Sequence, residues 1–129
     1  SSDLNKMNNN SLVCKMVYKK FSILFTGDIE KIAEEKIIET YKNETNKLKA
    51  TIIKIPHHGS KTSSTMDFIE KVKPQEALIG VGKKNKFGHP AITTIQTLQN
   101  QNIKIYRTDE MGEITIETNG KKYKVTKLL

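Results

Sequence analysis

Three histidines occur in the chain, and each stands in a short loop directly after an apolar, strand-like stretch. His57 and His58 are adjacent, in Pro56-His57-His58-Gly59-Ser60, and His89 lies in Gly88-His89-Pro90. A further loop, Thr26-Gly27-Asp28, fixes a carboxylate at a strand end. Imidazole and carboxylate are the side chains that ligate borderline and hard cations, and imidazole is also the group that titrates near neutrality. In the histidine pair one ring can ligate a metal while its neighbour packs, orients it or meets substrate. The plainer reading is a surface pair ahead of a helix capped by Ser63 or Ser64. For Asp28 the plainer reading is a helix N-cap. The loop before His89 carries Lys83, Lys84 and Lys86, which suits a phosphodiester with His89 as proton donor, or else a solvated basic loop.

The elements that must position these loops follow from periodicity. Alternation over Leu12 to Tyr18, the Lys19-Lys20 turn and the apolar Phe21 to Thr26 predict a hairpin. Ile29, Ile32, Ala33, Ile37 and Tyr41 recur at helical spacing. Thr51 to Ile55 is β-branched and halted by Pro56, and Phe68, Ile69 and Val72 mark a short helix before Pro74. Ala77 to Val81 reads as a buried strand, and Ala91 to about Asn100 as a helix with Ile92, Ile95 and Leu98 on one face. Ile103 to Arg107 and Glu113 to Glu117 are strands, and the Asn119-Gly120 turn opens a last strand through Val125. Strands separated by helices imply a layered α/β fold.

Length and composition set the bounds. The 129 residues make one domain at most, with residues 1–10 a polar lead-in. A hydrophobic fraction of 36% without tryptophan permits a modest core, and the longest apolar runs are too short to cross a bilayer. A single cysteine, Cys14, excludes an intramolecular disulfide and a cysteine-rich zinc ribbon. The net charge of +8 favours polyanionic partners, but all the cations except Arg107 are lysines. That composition suits nonspecific phosphate contact better than reading of base sequence. Ser1 opens the chain without a methionine, which suggests a piece of a longer protein.

Five motifs in order carry a family resemblance: Asn8-Asn9-Asn10-Ser11-Leu12-Val13, Phe25-Thr26-Gly27-Asp28, Ile55 to Ser60, Gly82 to Pro90, and Tyr106-Arg107-Thr108-Asp109. From Asn8 to Glu117 the chain resembles the C-terminal half of the metallo-β-lactamase-fold domain of ComEC competence proteins and related small secreted hydrolases. The resemblance implies half of an αββα sandwich, a mixed sheet with helices on one face, in a single partial domain spanning 1–129. It also implies a centre of two divalent metals, zinc or manganese, that activates water. Asp28 would bridge the metals and His57, next to the strand end, would be the last histidine ligand, with His58 the alternative. The catalytic set would then be His58, His89 and Lys61, and phosphate would be held by Ser60, Lys83, Lys84 and Lys86.

The implied substrate is DNA, one strand of which is degraded during uptake, at the outer face of the membrane or in a secreted relative. The family's His-x-His-x-Asp-His loop does not occur in these 129 residues. The expectation is therefore a stretch that binds metal weakly, if at all, and does not hydrolyse by itself. It would pair with the other half of the domain or form a homodimer. Two further readings stand beside this one: a non-catalytic basic module binding nucleic acid or an acidic polymer, and a secreted hydrolase of another phosphoester.

Overall fold

The computed structural model describes residues 13–82 and 88–128. The polar lead-in and Lys83, Lys84 and Lys86 lie outside the described residues.

Strands β1 (Cys14–Tyr18) and β2 (Phe21–Phe25) form the expected antiparallel hairpin, turned at Lys19, whose φ is 54°. Helix α1 (Lys31–Thr40) leads to β3 (Ile52–Lys54), α2 (Met66–Val72) to β4 (Glu76–Ile79), and α3 (Ile92–Asn100) to β5 (Lys104–Arg107). These strands make one mixed sheet in the order β1-β2-β3-β4-β5, with β2 to β5 parallel. Parallel neighbours require crossovers, and α1, α2 and α3 are those crossovers. One turn of helix, α4 (Thr108–Met111), then leads into a separate antiparallel pair, β6 (Glu113–Thr118) and β7 (Tyr123–Leu128). β7 thus runs past Val125, where the sequence alone placed its end.

The two faces of the sheet are covered differently. Leu24, Ile53, Ala77 and Ile79 share one face and pack with Ala33, Ile37, Phe68, Ile69, Val72 and Leu98 of the helices in the main core. On the other face Phe21, Ile23 and Ile52 form a smaller cluster with Leu78 and with Ile116 and Tyr123 of the β6–β7 pair. The turn of that pair meets the hairpin turn, where Lys20 N–H donates to the Gly120 carbonyl at 2.8 Å, yet Met16, Tyr18 and Phe25 on the same face stay 54%, 48% and 37% exposed.

Local details depart from the periodicity. Ile32 and Ile92 were expected on the buried stripes of their helices, but they are 67% and 74% exposed. Glu34 and Thr94 take buried positions instead, each because it bonds the backbone of a neighbouring loop. The cap of α2 is Thr65, whose hydroxyl accepts from Phe68 N–H at 3.3 Å. Ser63 and Ser64, the expected caps, are engaged elsewhere: the Ser63 hydroxyl donates to the Ile29 carbonyl and the Ser64 amide to Glu34. Asp28 does not occupy the cap position of α1. Glu30 does, without a side-chain capping bond.

Candidate metal and phosphate site

The parallel strands β2, β3 and β4 end side by side, so the loops that follow them are neighbours. Two hydrogen bonds lock the first two loops together. The Thr26 hydroxyl, fully buried, donates to the Lys54 carbonyl, and His57 N–H donates to the Gly27 carbonyl at 2.9 Å. The turn bearing the exposed Asp28 is thereby held against the histidine pair.

His57 and His58 both adopt left-handed backbone, with φ of 53° and 54°. Left-handed conformation costs a non-glycine residue about 1–2 kcal/mol. Two in succession persist only where the surroundings over-determine them, a condition met most often at functional sites. Here the surroundings are explicit. Gly59, at φ +80°, comes so close to Pro90 that a Cβ would lie 2.6 Å from the proline's own. The Gly59 carbonyl accepts from Ala91 N–H at 2.8 Å and from the buried Thr94 hydroxyl at 3.1 Å. Further on, Glu34 receives the amides of Ser64 and Thr65, and Lys31 N–H donates to the Thr62 carbonyl.

This clamp brings all three histidines together. The His89 ring centroid lies 5.9 Å from that of His57, edge-on, and 6.4 Å from that of His58, stacked. Burial, and then the charges of His57 and His58, hold the His89 imidazole below its ordinary range. His58 Nδ1 lies 2.6 Å from the Gly80 carbonyl. A carbonyl only accepts, so Nδ1 carries the hydrogen and the neutral ring keeps its lone pair on Nε2. A second-site hydrogen bond of this kind fixes the tautomer of metal-ligating histidines. His57 Nδ1 is buried without a hydrogen-bond partner, and a Glu30 carboxylate oxygen lies 3.5 Å from it. That same Glu30 oxygen accepts from the Thr62 hydroxyl at 2.6 Å.

The donor types therefore suit a divalent metal, with Asp28 and the free nitrogens of His57 and His58 as the candidates. Their number falls short. Among the described residues no group of three or more His, Cys, Asp or Glu converges closely enough to hold a metal ion, and a catalytic zinc needs about three protein ligands.

Of the phosphate candidates, Lys61 is exposed on the turn after Ser60, whereas Ser60 is buried and its hydroxyl pairs with that of Thr62 at 2.9 Å. Arg107 is engaged by its own loop. It grips Asp109 through two bonds of 3.0 and 2.7 Å, which holds the Asp109 carboxyl below the usual range. Thr108 both donates to the Val81 carbonyl and accepts its N–H, pinning the strand end that leads towards His89.

Reasoning from sequence missed Lys54, Glu30 and Glu34. Lys54 is a charge closing an otherwise apolar strand, and that oddity was its one signal. The two glutamates carried none, since they sit in an ordinary run of charges before and within α1.

No protein-family model matches the chain. Relatives do. The chain is 39% identical over 107 residues to ComE operon protein 3 of Bacillus subtilis (strain 168), a match covering 83% of this chain and 13% of that protein. Its sequence is homologous to competence proteins. Competence protein ComA of Neisseria gonorrhoeae is 31% identical over 107 residues, covering 83% of the chain and 15% of that protein. Uncharacterized protein YcaI of Escherichia coli (strain K12) is 32% identical over 123 residues, covering 95% and 16%. The chain thus spans about a seventh of the length of the relatives it matches. Among its described residues no helix is long and apolar enough to cross a membrane.

Proposed function

We propose that this chain is the distal part of a metal-dependent phosphodiester hydrolase domain of the metallo-β-lactamase type, serving DNA uptake in a competence protein. The observation that carries this reading is the convergence of the His57, His58 and His89 rings beside the Asp28-bearing turn at one end of a parallel sheet, on a strained and heavily bonded backbone.

In this reading Asp28 and the histidine pair are part of a ligand set completed by a segment outside these 129 residues. Two divalent metals, zinc or manganese, would supply the water activation and charge compensation that phosphodiester cleavage needs. His89 meets the substrate from the mouth of the site. The lysines around the loops hold the DNA backbone through salt-sensitive contacts without reading its sequence. The other half of the domain covers the face that leaves Met16, Tyr18 and Phe25 exposed, a role a second copy of the chain can also fill. Such a domain works on the outer side of the membrane, where DNA arrives.

Asp28→Ala in the longer protein tests the reading. The expected result is loss of single-stranded oligonucleotide hydrolysis, roughly a hundredfold or more, with DNA binding retained. Hydrolysis at the wild-type rate would sink the enzyme reading and leave a basic binding module.

A further inference from the structure

Lys54 closes β3 on the face away from the helices, in register with Phe25 and Leu78. Its side chain lies along β4. A Cβ on Gly80 would stand 2.8 Å from Nζ and 3.4 Å from Cε, so the ammonium rests over the bare Cα of that glycine. Gly80 is absent from the positive-φ positions, so its backbone does not demand glycine. The room for Lys54 does. The same residue's carbonyl takes the hydrogen bond from His58. One peptide therefore anchors both the lysine head and the histidine ring.

The Lys54 side chain is half-buried. A partly desolvated cation gains from a neighbouring anion.

We propose that the Lys54 ammonium, held in place by the absence of a side chain at Gly80, is the anchor for a phosphoryl oxygen at the floor of the histidine cluster. The identity of the anion rests on the phosphodiester reading above, but the site itself is a property of this chain. In this arrangement the phosphate would sit between the Lys54 head and the His58 ring, the two groups that meet at Gly80, with His89 beside His58. A merely structural Lys54, paired with Asp28 alone, would have no such effect on phosphate.

The test uses the 129-residue chain with inorganic phosphate as the probe, read by NMR. All three histidines belong to the cluster, so each C2–H signal reports on it. The expected result is a saturable, phosphate-dependent shift of the His58 and His89 signals in the wild type. Lys54→Met should weaken the apparent affinity by roughly tenfold or more. Gly80→Ala should do the same, because it keeps the lysine but displaces its head. Lys36→Met, on the exposed side of α1, should bind as the wild type does.

Absence of a saturable shift in the wild type overturns the proposal. So does wild-type affinity in either Lys54→Met or Gly80→Ala. Should Lys54→Met not fold, Gly80→Ala still decides, since its only clash is with a flexible side chain. Hydrolysis surviving Asp28→Ala in the longer protein would remove the enzyme reading while leaving the anchor intact. No saturable phosphate shift in the wild-type chain, with hydrolysis lost in Asp28→Ala of the longer protein, would do the reverse.

Discussion

The β4 strand connects two polar clusters that solve the burial problem in opposite ways. Where it begins, Glu76 accepts the Tyr106 hydroxyl on one oxygen and the Tyr123 hydroxyl on the other, both at 2.8 Å, and Tyr123 also reaches Gln75 at 3.3 Å. Burial and then the bond to Glu76 push the Tyr123 phenol far above its usual range. Where β4 ends, the neighbouring loops hold His57, His58 and Ser64 in left-handed backbone, and leave His57 Nδ1 and Ser64 Oγ buried without hydrogen-bond partners. The same sheet supports both clusters, so the scaffold is not the cause of the difference. The first cluster is satisfied and ties β6–β7 to the sheet. The second keeps strain and unmet polar atoms, which a stable fold tolerates where a ligand will use them.

The largest way to break that asymmetry is Gly59→Ala. The new Cβ would combine left-handed strain with overlap against the Pro90 ring and backbone, at 2.6 and 3.0 Å. Urea unfolding should show a loss of about 2–4 kcal/mol, and the His89 signal should separate from those of the pair. A neutral outcome would mean that the histidine loop is not clamped.

Next in size is Glu34→Ala, which leaves the Ser64 and Thr65 amides buried without their acceptor. About 1–3 kcal/mol should be lost. Glu34 also titrates. Burial raises its carboxyl above the ordinary 4.5, aided by the charge of Glu35 and opposed by the two amides and the Thr65 hydroxyl. The folded chain then binds the proton more tightly than the unfolded one. Its contribution is fully present below 4.5 and is lost as pH rises through the raised folded value. Glu34→Gln should flatten that dependence, measured as urea midpoints on either side of the ordinary carboxylate range. An unchanged pH profile would place the titration elsewhere.

Much of the fold was legible because its periods are clean: alternation in the hairpin, helical spacing through Ala33, Ile37 and Tyr41, and β-branched runs between. The three histidine- and aspartate-bearing loops were legible for a related reason, since strand ends in an α/β fold converge. What could not be read depended on which groups meet across the fold. Three hydroxyl residues in a row, Ser63 to Thr65, are equivalent as caps until Ile29 and Glu34 claim the first two. Glu34 hides inside Glu34-Glu35-Lys36, because nothing local says that the helix turns this one charge inwards. β3 has only three residues, too few for their alternation to place Lys54 on the face opposite Ile53. Asp28 looked like a cap because it is near the helix. The chain spends two further residues, Ile29 and Glu30, before the first turn, and that spacing is what frees the Asp28 turn to face His57.

The smallest effect belongs to the satisfied end. Tyr123→Phe keeps the ring that packs on Phe21 at 5.3 Å between centroids, and removes only the hydroxyl. Glu76 then loses one donor on an oxygen that water can reach in part, because neither Glu76 nor Tyr123 is fully buried. The loss should be about 0.5–1.5 kcal/mol in urea unfolding. The histidine C2–H signals should stay where they are, because the altered bond lies at the opposite end of β4 from Gly80. If Tyr123→Phe shifts those signals, or costs as much as Gly59→Ala, the two clusters are one coupled network. Strain at the histidine end would then be a property of the whole sheet rather than of the loops that carry Asp28, His57, His58 and His89.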